Sequence, residues 1–527
     1  MEPMSGSCRR KAQVTIAPRQ RKGKRLLQTC EMEYVMGIVK IAVGALLGLA
    51  LVSPRVAASG FENTAVGTSA QAMGGAFRSI ADDWTAAYYN PAGLAFQQDN
   101  SLGAYASFTQ NRNQVRPDYK FTDGDGNVYQ TGMLNGFSIN NFHQVYYTPG
   151  SGLVTKLPFG NSEVVIGLSA YQPFDANVSW QLFRPLEAYN DSASGLYPTT
   201  QFKNNLDVVA FQLTAAKSSA NQKFGYGIGV QLLRADLNYS DLVLRDNPIP
   251  ELNFRPFEHI PQFVAADGNG WGFGVRAGLL YKHSKGALAL AAAVPFDITI
   301  KGTANLNFLL PRNLTEATSR GYTPGSPEYL FTSGASVKML SDFETKLKLP
   351  ASFAVAASYK LTEKLLVAAD AELMLWSKFE GLQFDYTNAS GFPVGGTGQE
   401  IASFLTASTV RPTEWKSAGK VALGLKYDWI PKLSLLAGGS MDQSADPDNT
   451  SNTPQFFDTG NKLGLNAGAI LHASPRFNCS MVLSYRHYPD LGVSGFYDLN
   501  TDGIADSFPG DYKAETIQTT LSFDYRF

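Results

Sequence analysis

The sequence predicts an all-β protein, a transmembrane antiparallel β-barrel of about fourteen strands, and three observations carry that prediction. Aromatic residues make up 12% of the 527-residue chain and charged residues only 17%. Beyond residue 58, no apolar run approaches the ~20 residues that a spanning helix needs. Segments of strict apolar/polar alternation recur to the C-terminus, and the connections between them alternate short and long.

The N-terminal part reads differently. Residues 1–35 are basic and unpatterned; they read as an extension from a start placed too early, with Met36 the true start, or else as an Arg-rich transit segment. Residues 36–58, "MGIVKIAVGALLGLALVSPRVAA", read as a signal peptide. Lys40 supplies the positive charge, Ile41–Val52 the apolar core, and Val56-Ala57-Ala58 the small-residue cleavage site. The mature chain is then expected to begin near Ser59. Residues 1–58 hold ten of the 44 Lys/Arg and three of the 45 Asp/Glu, so the remainder has 34 basic and 42 acidic residues, near −8. An acidic chain disfavours a nucleic-acid partner, because phosphate binding wants a basic surface. Cys8 and Cys30 leave with the leader, and Cys479 alone cannot form an intrachain disulfide.

Candidate strands follow at about 100–112, 137–156, 162–174, 205–217, 223–237, 271–282, 286–298, 347–360, 364–376, 418–429, 433–442, 462–473, 477–488 and 515–527. In "KLLVAADAELMLW", Val367, Ala369, Ala371, Leu373 and Leu375 share one face, while Asp370 and Glu372 share the other. In "KVALGLKYDW", Val421, Leu423, Leu425, Tyr427 and Trp429 oppose Lys420, Lys426 and Asp428. An apolar row with charges behind it suits lipid outside and a polar lumen inside. In "TIQTTLSFDYRF", Ile517, Leu521, Phe523, Tyr525 and Phe527 are apolar and every intervening position is polar. A terminal Phe ending such a strand resembles the assembly signal read by the barrel-assembly machinery of bacterial outer membranes. Short links such as "HSKG", "LTEK", "IPK" and "SPR" are expected at the periplasmic rim with both termini, and the long connections outside.

Ahead of the strands stands "AQAMGGAFRSIADDWTAAYYNPAGLAF", whose small residues, Ala-Asp-Asp and Asn-Pro-Ala elements resemble the N-terminal plug of the FadL-type outer-membrane transporters of long-chain fatty acids and other hydrophobic compounds. "GWGFGVRAGLLYKHSKGALALAAAVPFDITIKG", "KLPASFAVAASYKLTEKLLVAADAELMLWSKF" and "KVALGLKYDWIPKLSLLAGGSMDQSADPD" resemble later strand pairs of that family, in order. Segments 299–346, 377–417 and 443–461 depart from it. The resemblance implies a plug at 59–99 inside a barrel at 100–527, and a barrel of this size does enclose a lumen that something must occupy.

The resemblance also directs the site expectations. Asn90, Pro91, Ala92 and Gly93 form a rigid turn expected to plug the barrel and line the ligand's path. Pro173 and Phe174 mark an expected break in the third strand, since proline donates no ladder hydrogen bond there. Leu306, Phe308, Leu309 and Leu310 read as an apolar capture surface in an extracellular loop. Asp498, Asn500, Asp502 and Asp506 have oxygen ligands at spacings that suit calcium, although Pro509 stands where an EF-hand has Glu. No other cofactor is expected. The implied partners are outer-membrane lipid, a hydrophobic small molecule and, through Phe527, the assembly machinery. An aqueous porin is the alternative; a hydrolase is less favoured, because none of the five histidines sits in a nucleophile motif.

Overall fold

The computed structural model describes residues 60–527 other than 64–65, 123–127, 131–132, 143–144, 160–161, 185–201, 253–258, 393–397, 447–448, 457–461, 498 and 500–505. The expected signal peptide and the extension before it lie outside the described residues.

Fourteen antiparallel strands form a closed wall. They are β1 (Ser101–Pro117), β2 (Val145–Phe159), β3 (Ser162–Trp180), β4 (Phe202–Ser218), β5 (Phe224–Asp246) and β6 (His259–Lys282). The next three are each interrupted: β7 (Gly286–Pro295, then Ile298–Leu309), β8 (Ser336–Leu347, then Ser352–Lys360) and β9 (Leu365–Met374, then Gln383–Ser390). The series ends with β10 (Ala418–Ile430), β11 (Leu433–Asp442), β12 (Lys462–Ser474), β13 (Phe477–Val493) and β14 (Gly510–Arg526). The last strand closes on the first without a register shift, from Ser101 opposite Arg526 to Pro117 opposite Gly510.

Most strands exceed the roughly 9–11 residues that cross a bilayer, and β5 shows why. Its outward side chains are apolar from Phe224 through Tyr226, Ile228, Val230 and Leu232, then become Arg234, Asp236, Asn238 and Ser240. Its inward side chains change the other way, from Gly225, Gly227, Gly229 and Gln231 to Leu233, Ala235, Leu237 and Tyr239. The wall is therefore inside-out where lipid bathes it and conventional above. Arg234 marks the transition: its guanidinium lies 5.5 Å from the ring centroid of Trp271 on β6, an interfacial aromatic.

This inversion corrects one expectation. The stretch 303–314 is not an exposed loop: β7 continues to Leu309, and Leu306 pairs with Val264 of β6 and Met339 of β8. Leu306, Phe308, Leu309 and Leu310 are all at most 2% exposed. They are apolar because they face the core of the protruding barrel, with Lys301, Thr303 and Asn305 on the wet side.

The register assigned to β10 is visible directly. Leu423 and Leu425 are 44% and 45% exposed, whereas Ala422 is buried at 4%. A Cβ added at Gly424 would lie 2.6 Å from Cβ of Met73, so this lumen face is already occupied. Leu425→Arg should destabilise the folded barrel by on the order of 2–4 kcal/mol in lipid-vesicle unfolding titrations. Gly424→Arg should fail differently, by unseating Met73; equal tolerance at both positions would break the register.

Candidate functional site

Inside the wall runs an inner segment, residues 66–96, almost wholly buried. It comprises a short helix (Thr68–Ala72), a glycine-containing bend, a second helical turn (Ala86–Tyr89) and a 3-10 helix (Pro91–Phe96). The segment touches opposite sides of the lumen. Gln71 donates to Ser484 of β13 and Gln518 of β14, while Gln212 of β4 donates to the Ala87 carbonyl at 2.8 Å.

Asn90 organises the turn that the sequence singled out. Its Oδ1 accepts from Ala92 N at 3.1 Å, capping the 3-10 helix, and Pro91 takes the first helical position, where no N–H is missed. Its Nδ2 donates to Arg78 O at 3.0 Å and Leu279 O at 3.2 Å, tying the turn to the bend before it and to β6. Space for this approach comes from the wall, since a side chain at Gly227 or Gly278 would collide with Pro91 or Asn90. Gly93 faces no open passage: a Cβ there would collide with Ala81 of the same segment. Asn90, Pro91, Ala92 and Gly93 are thus all buried in packing contacts.

The hidden acids of β9 find their partner here. Arg78 pairs with Asp370 at 3.3 Å and Glu372 at 2.5 Å, all three nearly inaccessible. Asp370 Oδ2 also accepts from the backbone N–H groups of Phe77 and Arg78 at 3.2 and 3.1 Å. Burial opposes the charge on Arg78, but Glu372 and Asp370 overcome it and raise its pKa. Nearby, the Tyr88 hydroxyl donates to Glu62 at 2.6 Å, Lys420 stands 3.5 Å from Glu62, and Arg276 donates to the Tyr88 carbonyl at 2.7 Å.

Above this polar belt lies an aromatic cage. The Phe61 ring is surrounded by Trp376 at 4.7 Å, Phe379 at 5.3 Å, Phe456 at 5.8 Å, Phe174 at 6.0 Å and Trp415 at 6.1 Å between centroids. Pro173 lies at a defect in the wall beside it. The β3/β4 register shifts between Tyr171 and Phe174, and β2 pairs with β3 only from Ser151–Ala170 to Phe159–Ser162. β3 continues past the shift to Trp180. Its freed backbone is met by the chain's own N-terminal residues: Asn63 N donates to Pro173 O at 2.9 Å and Asp175 N to Phe61 O at 3.1 Å.

The expected calcium ligands Asp498, Asn500 and Asp502 lie outside the described residues. Asp506 is fully buried and accepts from Leu499 N at 2.7 Å. Among the described residues no cluster of His, Cys, Asp and Glu is arranged to hold a metal. At the turn end of the lumen, Ser434 Oγ stands 3.0 Å from His472 Nε2, whose Nδ1 is 2.9 Å from Asn478 Oδ1. Ser434 is 1% exposed and its hydroxyl donates to Asp428 at 2.7 Å, so the trio reads as a structural hydrogen-bond chain.

A closed fourteen-stranded wall with this polarity, threaded by an inner segment of the same chain, defines a membrane-spanning β-barrel. The chain belongs to the outer membrane protein transport protein family (OMPP1/FadL/TodX), whose sequence profile matches residues 49–527. Its relatives include the 47 kDa outer membrane protein of Pasteurella multocida, 25% identical over 268 residues, or 49% of this chain and 51% of that one. Outer membrane protein P1 of Haemophilus influenzae is 22% identical over 343 residues, 64% and 62% of the respective chains. The matches thus span between half and two thirds of these relatives' lengths. The fold is shared with a Pseudomonas aeruginosa FadL homologue at 17% identity and a TM-score of 0.66, covering 89% of this chain and all of that one. It is shared also with the P. putida toluene transporter TodX at 15% identity and a TM-score of 0.61, covering 88% and 99%. The protein is therefore a member of an outer-membrane transport protein family.

One titration follows from the site. Asp83, in the inner segment, has its pKa pushed up to about 7, by burial first and then by Asp524 and Asp82, against hydrogen bonds from Thr85. Because this exceeds the ordinary 3.8, the seated state holds the proton more tightly than the unfolded chain. Its contribution is full below about pH 4, declines as pH rises towards about 7, and is flat above. Asp83→Asn should make the slope of thermal stability with pH shallower across this range.

Proposed function

We propose that the protein moves a hydrophobic small molecule, a long-chain fatty acid or similar compound, across the outer membrane by way of the Phe61 cage. The supporting observation is that Phe61 fills the cage with a side chain while its backbone and that of Asn63 close the gap in β3. An apolar ligand entering among Trp376, Phe379, Trp415 and Phe456 competes with Phe61 for the same contacts. Displacing Phe61 withdraws the two hydrogen bonds to Pro173 and Asp175, and so opens the wall between β2 and β3 towards lipid. Pro173 and Phe174 then bound the exit. The Asn90–Gly93 turn keeps the rest of the inner segment seated as a plug, and the pore stays closed to ions during transfer. Leu306, Phe308 and Leu310 contribute to the apolar core below the extracellular mouth rather than to an exposed capture loop. In this reading both termini are periplasmic, the mature chain starts near Ser59, and Phe527 presents the assembly signal.

Deleting residues 61–96 tests the reading against an aqueous porin. The barrel should still assemble, since β1 and β14 keep their full register. Planar bilayers should then show a large, poorly selective ion conductance, and saturable uptake of the hydrophobic compound should disappear. Unchanged conductance and uptake would make the segment a bystander. Phe61→Ala should be milder, speeding release without raising conductance.

N-terminal sequencing of protein recovered from outer membranes should begin near Ser59. Peptides from residues 1–35 in that material would refute the early-start assignment.

A further inference from the structure

The aromatic cage is closed by a second segment besides the one that carries Phe61. β11 ends at Asp442 and β12 begins at Lys462, and the chain between them does not stay on its own side of the barrel. Residues 449–456 are irregular backbone, and Ser451, Asn452, Thr453 and Gln455 are buried. They form a strap across the mouth opposite the short turns. Trp180 of β3 donates to Pro454 O at 2.9 Å and Asn204 of β4 to Gln455 O at 3.3 Å. Gln455 Nε2 donates to Ser240 O of β5 at 3.0 Å and to Asp241 at 2.8 Å. In the closed strand order, β4 lies opposite β11 and β12.

The strap is shaped at its base. Asp446, fully buried, accepts from Ser451 N at 2.9 Å, Ser451 Oγ at 3.0 Å and Asn452 Nδ2 at 3.0 Å. Lys416 N donates to Ala445 O at 2.7 Å, and Thr450 to Glu414 at 3.2 Å, which ties the base to the segment carrying Trp415. At its other end the strap hangs Phe456 into the cage, 5.5 Å from Phe379 and 5.8 Å from Phe61. Two separate segments thus each commit one phenyl ring to the same space.

The strap's contacts suit an element that lifts. The hydrogen bonds that anchor it lie outside the barrel ladder, so releasing them leaves the closure of the wall intact. Its buried side chains are mostly polar, and Asn452, Thr453 and Gln455 recover hydrogen bonds from water on leaving, at small net cost. A strap of leucines would instead expose apolar surface each time it opened.

Resting on the transport reading above, we propose that residues 449–456 are the entry gate, and that a ligand displaces Phe456 before it competes with Phe61. Entry and exit are then controlled by different segments that meet in one cage. With the strap down and Phe61 lifted, the ligand leaves sideways while the mouth behind it is shut.

The test uses the full chain with Cys479→Ser, which removes the one cysteine beyond residue 58. Asn204→Cys and Gln455→Cys are joined by a short bis-methanethiosulfonate spacer, with cross-linking verified by mass spectrometry. Uptake of radiolabelled oleate is followed in bacterial cells that lack a transporter of their own for it. Cross-linking should reduce saturable uptake to the level of cells without the protein, and a reductant should restore it. Cross-linked protein that takes up oleate at the unlinked rate would overturn the inference and leave transport through the cage standing. A second measurement is independent of transport. Asn204 is fully buried beneath the strap, so Asn204→Cys alone should react slowly with a membrane-impermeant maleimide. Asp446→Ala should speed that labelling about tenfold, the scale of a lost hydrogen bond to a charged group. Equal labelling with and without Asp446→Ala would make the strap fixed core and overturn the inference. Labelling sped by Asp446→Ala in a protein with no saturable oleate uptake would bring down the transport reading while supporting the strap as a moving element.

Discussion

Everything in this structure follows from the requirement that no backbone N–H or C=O be left unpaired in hydrocarbon, where each orphan costs several kcal/mol. A sheet meets that requirement only by closing on itself, and the unbroken register between β1 and β14 is the closure. Closing fourteen strands creates a lumen too wide for wall side chains alone to fill. The inner segment is the answer to a problem that closure creates. The same rule explains why the defect near Pro173 is not a hole: the chain supplies Phe61 and Asn63 as a fragment of strand where β2 has parted from β3.

Within the lumen, charge does what apolar packing does in a soluble core. Arg78, Asp370 and Glu372 are buried together, with two backbone N–H groups also donating to Asp370 Oδ2. Breaking one partner of such a set leaves an uncompensated buried charge, a penalty of roughly 3–5 kcal/mol. The contact specifies seating: the bend carrying Arg78 matches one depth and one azimuth against β9. Apolar contacts with a glycine-rich wall would tolerate sliding. The ion pairs do not.

Much of the barrel was legible because lipid enforces a strict two-residue period on the outside. Leu423, Leu425 and the β14 row ending at Phe527 could be placed from alternation alone, as could the inward acids Asp370 and Glu372. That alternation failed to extend β5 beyond residue 237 or to recognise the first part of β8, because above the bilayer the apolar and polar faces exchange. Leu306 and Phe308 were read as loop for that reason. The Asn90–Gly93 turn was visible as chemistry but its contacts were not, since Arg78 O and Leu279 O are backbone atoms. The cage was missed almost entirely. Phe61, Phe174, Trp376 with Phe379, Trp415 and Phe456 come from five separate places in the chain, and none of their spacings signals assembly.

The exchange of faces along β5 has a further meaning. One covalent strand obeys two opposite solubility codes, and the boundary between them, near Leu232 and Trp271, is a waterline fixed by composition. Below it, a polar replacement on the outer face is penalised by lipid; above it, the same replacement is harmless and the inner face becomes the sensitive one. The protruding half of the barrel can therefore vary as the exterior of a soluble domain does. Surface change there leaves membrane insertion untouched, because lipid bathes only the other half of the wall.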